Sequence, residues 1–299
     1  MIRLKAPAKI NLSLRVLGRR SDGYHEVDSL MQMVSLYDEI EIHPHPRAIE
    51  IRTSGASLSD GPGNLAYDAA VALGKASGID RGAIIELTKH IPIGAGLGGG
   101  SSDAATVLAG LNRHWRLGWP RRRLAELGAT LGSDVPFFFS GPTARVGGRG
   151  ERVERIARTH LQSDLLQGQW AVLINPGIAV STRWAFEALG APLLDQSLYS
   201  TTGLTKPGSA DRIPRFPGAP APSCPVENSL ESVTAMKYPV ILEMKRTLQD
   251  AGASVVSMSG SGPTVFGLFP ARAPAAAALK AVPSIWKGWI VRLLCRAPW

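Results

Sequence analysis

From Pro92 to Ala105 the sequence reads Pro-Ile-Gly-Ala-Gly-Leu-Gly-Gly-Gly-Ser-Ser-Asp-Ala-Ala. Gly94, Gly96, Gly98, Gly99 and Gly100 fall within seven positions. An apolar run from Ala83 to Leu87 precedes them. Ala104, Ala105, Val107, Leu108 and Leu111 follow at helical spacing. The glycines therefore form a loop that opens a helix, with Ser101, Ser102 and Asp103 expected at its N-cap. Glycine lets backbone N–H groups approach a ligand with no Cβ in the way. A helix N-terminus adds unpaired donors and a positive dipole end. Together they bind phosphate. One or two glycines would suit a plain turn, but five beside Ser-Ser expose more backbone than a turn needs. The candidate cofactor-binding segment is thus Pro92, Ile93, Gly94, Ala95, Gly96, Leu97, Gly98, Gly99, Gly100, Ser101 and Ser102.

Two common phosphate loops fail here. Gly94-x-Gly96-x-x-Gly99 has the dinucleotide spacing, but the region about 20 residues on carries Arg121-Arg122-Arg123 instead of an acid. Gly94 and Gly99 have P-loop spacing, but the lysine that should follow is Gly100. Outside the loop, phosphoryl transfer to a hydroxyl needs a carboxylate to take its proton, best beside a lysine. Asp134, in Gly132-Ser133-Asp134-Val135-Pro136, is one candidate, though such an aspartate also suits a turn or helix cap. Lys9 lies in apolar strand context, where alternation turns it either inward or, at a strand edge, to solvent.

The loop resembles that of the GHMP kinases, which include galactokinase, homoserine kinase, mevalonate kinase and phosphomevalonate kinase. Two further motifs of that family stand in order: Ala6-Pro7-Ala8-Lys9-Ile10-Asn11-Leu12 near one end, and Met258-Ser259-Gly260-Ser261-Gly262-Pro263-Thr264 near the other. Arg19-Arg20-Ser21-Asp22-Gly23-Tyr24-His25-Glu26 and Gly132 to Phe138 are similar to the branch of the family whose acceptor is a CDP-linked methylerythritol. The resemblance spans the chain and is weakest between about Gln196 and Pro225. It implies an α+β, two-lobed fold with the site between the lobes, residues 1–155 forming the N-terminal domain and 156–299 the C-terminal one. It implies ATP and Mg²⁺ as cofactors, and transfer to the 2-hydroxyl of the CDP-linked alcohol in non-mevalonate isoprenoid synthesis. It gives Lys9 and Asp134 the catalytic roles, Lys9 keeping the carboxylate ionised. It puts Asn11, Tyr24, His25, Thr182 and Phe186 on the substrate, with an aromatic stacked on the cytosine. Asn64 and Lys89 are weaker nucleotide-side candidates. No protein ligand for the metal matches, and Glu227-Asn228 matches a family element without a role. A homoserine- or mevalonate-type kinase would have no use for the Gly-Tyr-His element. A non-catalytic nucleotide-binding regulator would not need both Lys9 and Asp134.

These residues need elements to hold them. Alternation predicts strands around Leu12, Leu14 and Val16, which would share one face, and at Ile40–Ile42, Ile49–Ile51, Ala83–Leu87, Trp170–Ile174 and Ile290–Leu294. Helices are expected at 64–73, 240–251 and 273–280. Lys206 to Pro225 is rich in Pro, Gly and Ala and reads as a long surface connection. The chain has 299 residues, enough for substantial cores, and a net charge of +9. The basic residues are scattered, and Arg121-Arg122-Arg123 reads as a solvated helix face without interleaved aromatics. The partners expected are therefore small anionic molecules, ATP and the CDP-linked alcohol, and no nucleic acid. Two cysteines, Cys224 and Cys295, suit a reducing compartment. With no apolar run near the ~20 residues a span needs and no signal peptide, no membrane partner and a cytoplasmic location are expected. A monomer or homodimer is expected.

Overall fold

The computed structural model describes residues 1–156, 170–192 and 226–298. The Pro-rich connection expected at 206–225, with Cys224, lies outside the described residues. The N-terminal alternation folds into two long strands, β1 (Ile2–Arg19) and β2 (His25–His45), paired antiparallel along their length. The other edge of β2 is shared. Its C-terminal part pairs with β4 (Gly82–Thr88) and its N-terminal part with β5 (Thr143–Gly148). The sheet is completed by β3 (Ile49–Ser54), parallel to β4, and by β6 (Arg152–Arg155) against β5.

On this sheet pack α1 (Leu65–Ser77), α2 (Gly99–His114), α3 (Arg121–Ala129) and the short α4 (Phe137–Ser140). The apolar stripes of α1 and α2, including Leu73, Leu108 and Leu111, meet Ile40, Ile42, Ile85 and Leu87 in one core. The α1 N-cap is Asn64, whose side chain accepts from the Ala66 N–H. That bond, with those to Thr53 and Ser59, accounts for Asn64 as a cap. The arginines at the start of α3 are exposed, Arg122 paired with Glu126 and Arg123 stacked 3.5 Å from the Trp119 ring centre, as a solvated face should be.

A second, antiparallel sheet has the order β10 (Lys287–Arg292), β7 (Trp170–Asn175), β9 (Val265–Phe269), β8 (Val255–Met258). Helices α5 (Thr182–Leu189), α6 (Glu231–Lys237), α7 (Val240–Asp250) and α8 (Arg272–Ala281) accompany it. Strand β7 is a continuous apolar run because both its faces are buried. Val172 and Ile174 face the α7 and α8 side with Ile241, Met244 and Leu248, while Ala171 and Leu173 face β1. There they join Phe266, Leu268, Ala8, Ile10 and Leu12 in a third core that fastens the two sheets together. The fold is α+β, as expected.

Two local expectations need correction. Leu12, Leu14 and Val16 do not share one face, because β1 shifts register between Asn11 and Ser13. Leu12 packs in the core between the sheets and Leu14 in that of the second sheet. An irregularity of one residue turns the following side chains over. Helix α2 also starts earlier than expected. Its N-cap is Gly98, in the left-handed region, so Ser101, Ser102 and Asp103 lie inside the first turns and do not cap it.

Candidate active site

Between the two sheets opens a cleft of about 1220 Å³. The glycine loop forms its floor, and the loop's conformation follows from its residues. Gly94, Gly96 and Gly98 have φ of 62°, 76° and 68°, where a side chain is disfavoured. Five successive carbonyls of the loop are held by donors. Gly94 O accepts from Val180 N (3.1 Å), Ala95 O from Thr264 N (3.4 Å) and Gly96 O from Ser259 Oγ (2.9 Å). Leu97 O accepts from Lys9 N (2.9 Å) and Gly98 O from Ser102 N (2.9 Å). In a trans peptide the N–H points opposite to the C=O of the same plane. Fixing the carbonyls in protein therefore aims the following amides the other way. Gly99, Gly100 and Ser101, in the first turn of α2, contribute further amides with no partner in the preceding turn. The arrangement can hold a chain of phosphates.

Pro92 to Ser101 all line the cleft. Ser102 does not. Its side chain is buried and its hydroxyl has no protein partner.

Lys9 reaches the cleft from β1, its side chain 5% exposed. Its ammonium donates to Asn11 Oδ1 (2.7 Å) and sits 3.4 Å from Asp134 Oδ2. Asp134, about a third exposed, stands in the turn before α4 and opens to the cleft. Inward alternation over residues 8–11 puts Lys9 and Asn11 on one face. Asn11 lines the cleft but is bonded at both ends: its Nδ2 donates to Ser29 Oγ (2.8 Å), which donates to Ser13 O (2.6 Å). This chain leaves Lys9 two anchored directions and a third N–H for a ligand.

Tyr24, His25, Thr182 and Phe186 also line the cleft. The His25 and Phe186 rings stack 5.1 Å apart at 29°. Burial, with nearby Arg19, holds the His25 pKa below its ordinary value, so the imidazole is neutral at pH 7 and offers one donor and one acceptor. Tyr24 is 54% exposed, an open aromatic face with the Arg149 guanidinium 4.8 Å from its centre. Thr182 Oγ1 and Ser261 Oγ lie 3.0 Å apart, tying the start of α5 to the third glycine-containing turn.

That turn packs back to back with the phosphate loop, Ser259 Oγ accepting from Asn11 N (3.2 Å) while donating to Gly96 O. Asn228 fixes its shape, its Nδ2 donating to both Met258 O and Gly260 O at 2.8 Å. The Asn228 arrangement, the Arg149 position and the Ser259 link escape a reading of the sequence, because each joins segments far apart in the chain. Lys89 lines the cleft, but its ammonium is engaged by Asp38 and Asp103.

Residues 64–142 match the family described as GHMP kinases N terminal domain, and residues 221–288 the one described as GHMP kinases C terminal. A 4-diphosphocytidyl-2-C-methyl-D-erythritol kinase from Geobacter metallireducens is 45% identical over 281 residues, 93% of each chain. Its namesake from Geobacter sulfurreducens is 47% identical over 268 residues, 89% of each chain. A crystal structure of 4-(cytidine 5'-diphospho)-2C-methyl-D-erythritol kinase superimposes with a TM-score of 0.74 and 33% identity, covering 97% of this chain and 98% of the other.

Proposed function

The chain belongs to the GHMP kinases, and from that premise we propose that it transfers the γ-phosphoryl group of ATP to the 2-hydroxyl of 4-diphosphocytidyl-2-C-methyl-D-erythritol, a step of non-mevalonate isoprenoid synthesis. The observation that carries the reading is one cleft lined both by a glycine loop whose carbonyls are held in protein and by the aromatic side chains of Tyr24, His25 and Phe186. A homoserine or mevalonate acceptor would leave those aromatic side chains without an occupant.

In this reading the loop from Ile93 to Ser101 binds the ATP phosphates through its backbone, while Ser102, its N–H given to Gly98 O, helps to shape the loop. Asp134 accepts the proton of the acceptor hydroxyl as the oxygen attacks. Lys9 pairs with that carboxylate and meets the charge developing on the transferred phosphoryl group. Asn11 and Ser29 hold the lysine in line. Tyr24 and Phe186 receive the cytosine, and neutral His25 reads its polar edge. Thr182, bonded to Ser261 and lining the same cleft, offers the substrate a hydroxyl from the start of α5. Mg²⁺ takes oxygen ligands and keeps several waters. A loop that presents amides and no carboxylate suits a metal that arrives on the phosphates. The enzyme works on small molecules in the cytoplasm, as a monomer or homodimer.

The test is turnover. Incubated with Mg-ATP and a panel of acceptors, the protein should release ADP with the CDP-linked methylerythritol and not with homoserine or mevalonate. ADP release with homoserine or mevalonate alone would replace this reading.

A further inference from the structure

Asp38 plays no part in the chemistry above, yet it is fully buried and uses both carboxylate oxygens. Its Oδ1 accepts from the backbone N–H groups of His90 (2.6 Å) and Ile91 (2.8 Å). Its Oδ2 accepts from the Lys89 ammonium, which also donates to Asp103 Oδ2 at 2.6 Å. Three elements meet here: β2 supplies Asp38, the segment leaving β4 supplies Lys89, and α2 supplies Asp103. Ile91 is the residue before Pro92, where the phosphate loop begins, and Asp103 is in the helix that leaves it. The Lys89 Nζ also lies 3.2 Å from the point where a Cβ on Gly99 would stand.

Stability alone does not ask for this cluster. Burying three ionisable groups costs more desolvation than well-packed apolar side chains of the same volume, and such clusters are retained where they fix a geometry. Asp103 Oδ1 even lacks a hydrogen-bond partner among the described residues. Burial pushes the Asp103 carboxyl up to about 8, so this side of the cluster is largely uncharged near neutral pH while Lys89 stays charged. Asp38 holds the lysine with one oxygen and two backbone N–H groups with the other, whereas Asp103 meets the lysine with one oxygen.

We propose that Asp38 is a positioning residue for the nucleotide loop: one carboxylate pins the entry strand through two backbone N–H groups and, through Lys89 and Asp103, pins the exit helix. The assignment rests on reading residues 92–102 as the ATP site. The same chemical change at the two carboxylates should therefore have unequal effects. Asp38→Asn keeps the shape but loses the charge, and turns an N–H donor toward Lys89 or the backbone amides. Asp103→Asn keeps an acceptor oxygen for the Lys89 bond and disturbs no backbone N–H of the entry strand.

The full-length variants are titrated with Mg-ATP and assayed for turnover with the CDP-linked acceptor, alongside their thermal midpoints. Asp38→Asn should raise both the ATP Kd and KM(ATP) about tenfold or more, the scale of a lost hydrogen bond to a charged group. KM for the acceptor should move less than about threefold, and Asp103→Asn should change ATP binding by no more than that. If Asp38→Asn does not fold, Asp38→Glu, which keeps the charge but displaces it by one methylene, should show the same selective loss of ATP affinity. Unchanged ATP affinity in the folded variant, or equal rises in both KM values, would overturn the proposal. A wild-type chain that takes no ATP would overturn the underlying assignment of the loop instead.

Discussion

Gly96 is the point where the two glycine turns touch, and replacing it by alanine turns that contact into a measurable displacement. Its φ is 76°, so an L side chain there costs about 1–2 kcal/mol before any contact is considered. The added Cβ would lie 2.0 Å from Ser259 O and 3.1 Å from Gly262 N. Real Cβ atoms stay beyond about 3.0 Å, so one turn must retreat by about 1 Å, and backbone cannot swing aside as a side chain tip does. Ser259 is also bonded to Asn11 N and Gly96 O, so the shift is felt both by the strand carrying Lys9 and by the loop. A misplacement of about 1 Å in a positioned reaction is worth about 10²-fold in rate, or about 2.7 kcal/mol in the barrier. We therefore expect kcat/KM for Gly96→Ala to fall about 100-fold, read by ADP release with the CDP-linked acceptor. The thermal midpoint should drop by about 2–8 °C for the conformational cost alone. Gly100→Ala is the control for stability. Gly100 lies in helix α2 without a positive φ, and its Cβ would meet only Leu65 Cδ1 at 3.4 Å, so the midpoint should hold or rise. Gly96→Ala turning over within about threefold of the wild type would refute the idea that this contact sets the catalytic geometry.

Asp134→Asn should lower kcat by about 10²–10⁴-fold with both substrates still bound, the share of a general base; near-wild-type turnover would exclude that role. Lys9→Met should be comparably severe, and the double variant should lose less than the sum of the two single losses, since the pair acts as one unit. Tyr24→Ala should weaken acceptor binding by about 1–3 kcal/mol, one base–aromatic stack, and leave ATP affinity unchanged; loss of ATP affinity instead would mean the two subsites are exchanged. Asp103 gives a pH signature: its carboxyl stands at about 8 in the folded chain and about 3.9 when unfolded, so the stability it contributes is complete below pH 4 and lost as pH rises through 8. Asp103→Asn should accordingly gain on the wild type in thermal midpoint from pH 5 to pH 8, and parallel profiles would contradict the burial-raised carboxyl.

What could be read from the chain is what is local. The loop is written in consecutive glycines, and the helices of α1, α7 and α8 in spacing and end residues. Strand β7 is written in an unbroken apolar run. Lys9 and Asn11 share a face because alternation is undisturbed between residues 8 and 11. The same alternation misleads two residues later, where a register shift that no residue type announces sends Leu12 and Leu14 to different cores. The serines at the start of α2 look like caps, but a glycine already in the left-handed region ends the loop first and draws Ser102 and Asp103 into the helix. The Asp38–Lys89–Asp103 cluster was invisible for another reason. Its members are 51 and 14 positions apart, and reading Lys89 as a nucleotide-side candidate and Asp103 as a cap gives no sign that the fold brings them together on Asp38.

The bond from Asn11 N to Ser259 Oγ closes a gap of 248 positions, and this sets an order of events during synthesis. The first sheet is complete in sequence by Arg155, so Lys9 and Asp134 can come together while the second sheet is still unmade. At about 5–20 residues per second, Ser259 follows some 5–20 s later. For that interval Ala8, Ile10 and Leu12 have no second sheet to cover them, and the edge of β1 that later receives Glu227 and Ser259 is open. The nascent protein thus passes through a stage with its reactive pair assembled, its phosphate loop lacking the outer holders Val180, Ser259 and Thr264, and a sticky strand exposed. A chain stopped before Ser259 should be aggregation-prone and idle, so the same seam that shapes the loop also makes activity the last property the protein acquires.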